Sequence, residues 1–138
     1  PTIMDYRNHI KEDSMLNTPP VFAVYVCMLT LRWLKSMGGV AAIEKLNNEK
    51  AALLYKAIDE NELFTGTVAT EDRSKMNVCF VMKDPSQEAA FLKLAESKGI
   101  VGIKGHRSVG GFRASLYNAL PLSSVQVLVD TMNEFQKV

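Results

Sequence analysis

The stretch from Thr18 to Gly39 places the strongest constraint on the fold. Thr18-Pro19-Pro20 opens it, Val21 to Met37 follows as a nearly all-apolar run, and Gly38-Gly39 closes it. Proline fits the first helical turn because its missing N–H would be unsatisfied there anyway. The threonine ahead of it can cap, and a glycine pair stops a helix by taking left-handed dihedrals. The pattern predicts a helix over 21–37. A helix without a polar stripe is buried on most sides, or it packs against another subunit. Tyr25, Met28, Trp33 and Met37 fall at helical spacing and read as packing residues. Arg32 and Lys35 cut the run short of the 18 apolar residues a membrane span needs. Upstream, residues 1–18 are polar and irregular and read as loop.

Downstream the punctuation changes. A second helix is expected from about Val40 to Asn61, with Leu46, Leu53, Leu54 and Ile58 on its apolar face and Glu and Lys on the other. Phe64 to Val68 begins a β region, and Asn77 to Met82 has the length and composition of a buried strand. Asp84-Pro85-Ser86 opens a helix through Lys98, with Ala90, Phe91, Leu94 and Ala95 inward, and Gly99 closes it. Ile100–Lys104 and Arg113–Asn118 read as strands. A final amphipathic helix carries Val125, Leu128, Val129, Met132 and Phe135 inward. The order after the two leading helices is β, α, β, β, α. This predicts an α+β fold: a small mixed or antiparallel sheet of about three strands, helices packed on one face, and an apolar helix in front. The β-α-β portion should cross over right-handed.

Composition excludes some function classes. The chain has 138 residues, 47% of them hydrophobic and 22% charged, enough for one compact domain with a real core. A net charge of +1 leaves no basic stripe for nucleic acid. Cys27 and Cys79 lie among apolar neighbours, form no metal set or disulfide framework, and read as free buried thiols of a reducing cytosol. No signal peptide is visible. The start at Pro1, without Met, suggests a fragment or a processed product.

The densest chemistry lies in Gly105-His106-Arg107-Ser108-Val109-Gly110-Gly111-Phe112-Arg113. Arginine can hold a carboxylate or phosphate through two parallel hydrogen bonds. Glycines let backbone turn left-handed and approach a ligand. A cationic glycine turn beside a strand suits a doubly anionic small molecule; an ordinary solvated surface turn is the alternative. The spacing is neither that of a P-loop nor that of a dinucleotide fingerprint. His106 could bind an anion or move a proton, or simply face solvent. Asn17 and Thr18 precede a helix N-terminus, which either attracts an anion through free N–H groups or is merely capped. No Ser-His-Asp order, Cys-His pair, suggestive carboxylate pair or metal-ligand set is present, so no catalytic or metal-binding residue is assigned.

Three stretches together resemble the C-terminal part of the phosphoserine aminotransferase family, within the fold-type I class. They are Asn17-Thr18-Pro19-Pro20 with the helix ending Trp33-Leu34-Lys35, then Gly38-Gly39-Val40 through Asn48-Glu49-Lys50-Ala51-Ala52-Leu53-Leu54-Tyr55 and Ile58-Asp59, and then Gly105 through Arg113 continuing as Ala114-Ser115-Leu116-Tyr117-Asn118-Ala119. Glu71 through Val78 also fits. The resemblance implies a cytoplasmic homodimer that uses pyridoxal phosphate. It would move an amino group between glutamate and 3-phosphohydroxypyruvate, giving O-phosphoserine for serine biosynthesis. By the same resemblance Arg113 would clamp the substrate α-carboxylate, and His106 and Arg107 would hold the distal anion. Asn17 and Thr18 would reach the cofactor phosphate in the partner subunit's site. The lysine that carries the cofactor, the Asp on its ring nitrogen and the stacking aromatic have no counterpart in this sequence. Residues 1–37 are therefore expected to close a large domain and 38–138 to form a small substrate-clamping domain, inactive alone. A stand-alone binding module for a phosphorylated or dicarboxylic metabolite, or an interaction domain using helix 21–37, are the competing readings.

Overall fold

Asp5 explains the first departure from the sequence reading. The computed structural model describes residues 1–107 and 109–137, so Ser108 of the glycine-arginine turn lies outside the described residues. It divides into two compact units, Pro1–Val40 and Ala41–Val138. In the first, a 3-10 turn at Thr2–Met4 leads into a short helix α1 (Tyr6–Lys11) where loop was expected. The Asp5 carboxylate accepts the Arg7 backbone N–H at 3.0 Å and pairs with the Arg7 guanidinium at 2.7 Å. That satisfies one of the free donors of a helix start. Asn8 Nδ2 donates back to the Thr2 carbonyl at 3.0 Å.

Helix α2 (Val21–Ser36) follows the predicted span. Its N-cap residue is Pro20 and no side chain caps it, so the Thr18 capping expectation fails. No residue of α2 is buried, and Phe22 is 80% exposed. Tyr25, Trp33 and Met37 are therefore exposed rather than packed. Cys27 is exposed too, against the expectation of a buried thiol, and Cys79 is only half-buried.

Helix α3 (Gly39–Glu60) carries the chain into the second unit, followed by β1 (Phe64–Gly66), β2 (Asn77–Met82), α4 (Glu88–Ser97), β3 (Phe112–Ser115) and α5 (Leu122–Phe135). The three strands form an antiparallel sheet in the order β1-β2-β3. Alternation along β2 buries Val78, Phe80 and Met82, and β3 buries Phe112 and Ala114 on the same face. Leu54 and Ile58 of α3, Phe91 of α4, and Val125, Leu128, Val129 and Met132 of α5 join those strand residues in one core. Three helices thus cover one face of the sheet, as the sequence predicts. Phe91 lies at the centre, its ring 4.8 Å from Phe64, 5.1 Å from Phe112 and 5.5 Å from Phe135, all edge-on. Edge-on pairs add to plain area burial because the ring edge is positive and the face negative.

Three details differ from expectation. Residues 100–104 are not a strand; only Lys104 bridges to Phe112, because Gly102 takes φ +70° and breaks the extended path. With that strand absent, β2, α4 and β3 make no parallel crossover; β2 and β3 are antiparallel neighbours. Ala90, expected inward on α4, is exposed. Among the described residues no single helix is long and apolar enough to cross a membrane.

Candidate functional site

The glycine-arginine turn is closed by the backbone before any side chain acts. Gly105 N donates to Gly111 O at 2.8 Å, and Arg113 N donates to Ile103 O at 2.8 Å. Inside that clasp the His106 carbonyl accepts from Val109 N at 3.0 Å and Gly110 N at 2.8 Å. Two glycines are required by contact. A Cβ at Gly105 would overlap the Gly110 carbonyl oxygen, and one at Gly111 would lie 2.6 Å from Val81 Cγ1 and 2.7 Å from Phe80 O. The sequence therefore folds the turn flat against the end of the sheet.

This arrangement brings His106, Arg107 and Arg113 onto one loop-and-strand element. His106 and Arg107 are exposed at the turn. Arg113 is exposed on β3, opposite Cys79 of β2, on the sheet face away from the core. Two exposed guanidiniums and an imidazole on this element are side chains chemically able to donate to a small anion. Asn17 and Thr18 belong to the first unit, where both are exposed just ahead of α2. Since no side chain caps α2, the Thr18 hydroxyl is not spent on its helix. Among the described residues no three metal-ligating side chains gather.

A second feature of the unit, an open groove of about 380 Å³, runs between Gly99–Ile103, β3 and Val125 and Leu128 of α5, with Arg113 on its border. Its lining is mainly apolar, so the anion donors, not the groove, define the candidate site.

Sequence reasoning missed Lys50. Its side chain is fully buried, and its Nζ donates to the carbonyls of Leu116 at 3.1 Å, Tyr117 at 2.8 Å and Leu120 at 3.1 Å. Burial pulls its ammonium below the usual lysine range. The signal was present: Ile43, Asn47, Lys50, Leu54 and Ile58 recur at steps of three and four, so Lys50 sits on the buried stripe of α3. Asn47, on the same stripe, donates through Nδ2 to Asn118 Oδ1 at 2.8 Å. Also missed was a bidentate pair. Arg73 donates to both Asp59 oxygens at 2.7 Å and lies 4.5 Å over the Tyr55 ring. The Arg73 hydrogen bonds hold the Asp59 carboxyl below the usual carboxylate range.

The turn, the strand and the helix order coincide with a known family. A model of aminotransferase class V matches residues 2–128. The chain belongs to the class-V aminotransferase family. Within it, the chain resembles the C-terminal part of phosphoserine aminotransferases. It is 59% identical over 140 residues to the phosphoserine aminotransferase of Azobacteroides pseudotrichonymphae genomovar. CFP2, covering 100% of this chain and 39% of that protein. It is 61% identical over 138 residues to that of Porphyromonas gingivalis, covering 99% of this chain and 38% of the relative. The solved phosphoserine aminotransferase from Bacillus circulans subsp. alkalophilus superposes with a TM-score of 0.90 at 41% identity, covering 99% of this chain and 38% of the other. A pyridoxal-phosphate-bound phosphoserine aminotransferase from Trichomonas vaginalis superposes with a TM-score of 0.84 at 42% identity, covering 96% and 38%. This class-V aminotransferase chain thus spans about two fifths of the length of the relatives it matches.

Proposed function

We propose that this chain supplies the substrate-clamping part of a pyridoxal-phosphate-dependent phosphoserine aminotransferase, which exchanges an amino group between glutamate and 3-phosphohydroxypyruvate in serine biosynthesis. The observation that carries the reading is Arg113, held exposed on β3 beside the clasped turn that bears His106 and Arg107. Both substrates carry an α-carboxylate and a second anion. The Arg113 fork takes the carboxylate with two parallel bonds. His106 and Arg107 take the distal group, a phosphate on one substrate and a side-chain carboxylate on the other. Fixing both ends orients the reacting carbon, and orientation is worth several kcal/mol of barrier (roughly 7–11 at best).

The cofactor, when bound, supplies the electron sink that amino transfer requires. Asn17 and Thr18 fit a role at its phosphate, since the amide and hydroxyl are exposed donors at the start of α2. The cofactor-carrying lysine is not assigned to this chain: among the described residues the fully buried Lys50 is committed to three carbonyls. That lysine is assigned to a large domain to which residues 1–37 also belong, with 38–138 as the small domain. The uncovered apolar face of α2 supports a homodimer. Two free cysteines fit a cytoplasmic enzyme.

Two measurements test this. In the enzyme that contains this chain, Arg113→Ala should raise KM for both substrates by about thirtyfold or more, from a loss of about 2–5 kcal/mol in a charge-assisted pair. Titration of the 138-residue chain with O-phosphoserine should give no binding heat. Tight binding abolished by Arg113→Ala would instead establish a self-sufficient binding module.

A further inference from the structure

We propose that Lys50 is a positioning residue for the anion clamp: by gathering the carbonyls of Leu116, Tyr117 and Leu120 onto one ammonium, it fixes the turn that ends β3 and thereby the aim of Arg113. The inference rests on the reading of Arg113 as a carboxylate clamp.

Three carbonyl oxygens pointing at one spot repel each other, since each is the negative end of a dipole. An irregular turn adopts that geometry only around a cation or a strong donor. The Lys50 ammonium has three N–H donors and meets three acceptors at 2.8–3.1 Å, so its hydrogen-bonding capacity is used completely. The acceptors are not a regular element. They are the residues through which the chain leaves β3 and enters α5.

Leu116 is held from both sides. Its N–H donates to Met76 O at 2.7 Å, and its carbonyl accepts from Lys50. Arg113 lies three residues upstream, in register with Cys79. The Asn47–Asn118 bond, from the preceding turn of α3, ties the same turn again. Helix α3 therefore reaches over the core to the end of the clamp strand by two polar side chains, both buried. Methionine at position 50 would fill the volume but remove the ammonium from all three carbonyls, leaving the buried Leu116 carbonyl without that donor and Tyr117 with only the Leu120 N–H. Arginine would keep the charge, yet its planar fork cannot set three donors on one point.

The test uses the enzyme that contains this chain, with Lys50→Met and Lys50→Arg compared by steady-state kinetics and by amide hydrogen exchange over 112–120. The expected result is a rise of about tenfold or more in KM for both substrates, because both use the same carboxylate clamp, with kcat changed far less. Exchange should accelerate over 112–120 in both variants, and arginine should not restore KM. A purely structural role would lower the folded fraction, and with it the maximal rate, without moving KM. Unchanged KM in folded Lys50→Met enzyme, beside an impaired Arg113→Ala enzyme, would overturn this inference alone. Unchanged KM in Arg113→Ala would overturn the clamp reading, and this inference with it. Should Lys50→Met fail to fold, Asn118→Ala, which cuts the second tether at an exposed position, must raise both KM values; no change there refutes the inference equally.

Discussion

Replacing Gly105 with alanine should separate the geometry of the anion turn from its flexibility. A Cβ there would overlap the Gly110 carbonyl oxygen and lie 2.9 Å from both the Gly110 carbonyl carbon and the Gly111 oxygen. All three atoms are backbone, so no side chain can swing away. Ordinary contact begins at 3.4 Å, and opening the turn to reach it moves the backbone by on the order of 1 Å. The movement strains the bond from Gly105 N to Gly111 O, worth about 1 kcal/mol, and the overpacking adds about 1–3 kcal/mol. A 1 Å error in a positioning element costs about 10- to 100-fold in catalytic efficiency. Gly110→Ala is the matched control. Its φ is +75°, but nothing stands within 4 Å of the new Cβ. It should lose about 1–2 kcal/mol through backbone strain alone, with the donors left in place. Urea denaturation of the chain gives the stability terms, and KM of the full enzyme for each substrate gives the binding term. The reasoning is refuted if Gly105→Ala matches the wild type in both assays, or if Gly110→Ala raises KM more than Gly105→Ala does.

Phe91→Ala removes the ring at the centre of the aromatic core and should cost about 3–5 kcal/mol in thermal or urea unfolding; a loss under 1 kcal/mol would contradict the packing described. Because Arg73 depresses the Asp59 carboxyl, the pair stabilises fully above the unfolded value of ~3.9 and loses its effect as pH falls through the lower folded value. Asp59 is half-exposed, so the contribution is about 1 kcal/mol or less. Asp59→Asn should therefore flatten that part of the acid unfolding curve, measured by circular dichroism from pH 5 downward. The apolar surface of α2 should make the isolated chain self-associate at high concentration, and Phe22→Glu with Leu29→Glu should reduce this. Sedimentation profiles showing only monomer for the parent sequence would rule it out.

The sequence made the sheet and its helices legible where one period dominates. Asn77–Met82 has the length and composition of a buried strand and emerges with the expected bounds, and the inward residues read for the last helix, repeating at three and four, fall within α5. Local rules erred where a single residue decides. Asp5 turns a polar stretch into a helix start, and Gly102 breaks an apolar run that composition reads as a strand. At the candidate site, glycine spacing and cation content marked Gly105 to Arg113 correctly as a tight turn leading into a strand. The strand's end at Ser115 was not legible, because a buried ammonium from α3 fixes the turn after it, 66 residues away in sequence. A lysine amid Glu and Lys neighbours reads as solvated surface, and only the helical stripe through Ile43, Asn47 and Leu54 argues otherwise.

The two faces of the sheet answer to different demands. Val78, Phe80, Met82, Phe112 and Ala114 hold the unit together, while Cys79, Arg113 and Ser115 alternate with them toward the outside. Residues on the outer face can therefore be exchanged without disturbing those that keep the chain folded. A library randomised at 79, 113 and 115 should yield mostly stable proteins, and under the proposed clamp role of Arg113 those that alter position 113 should change anion preference.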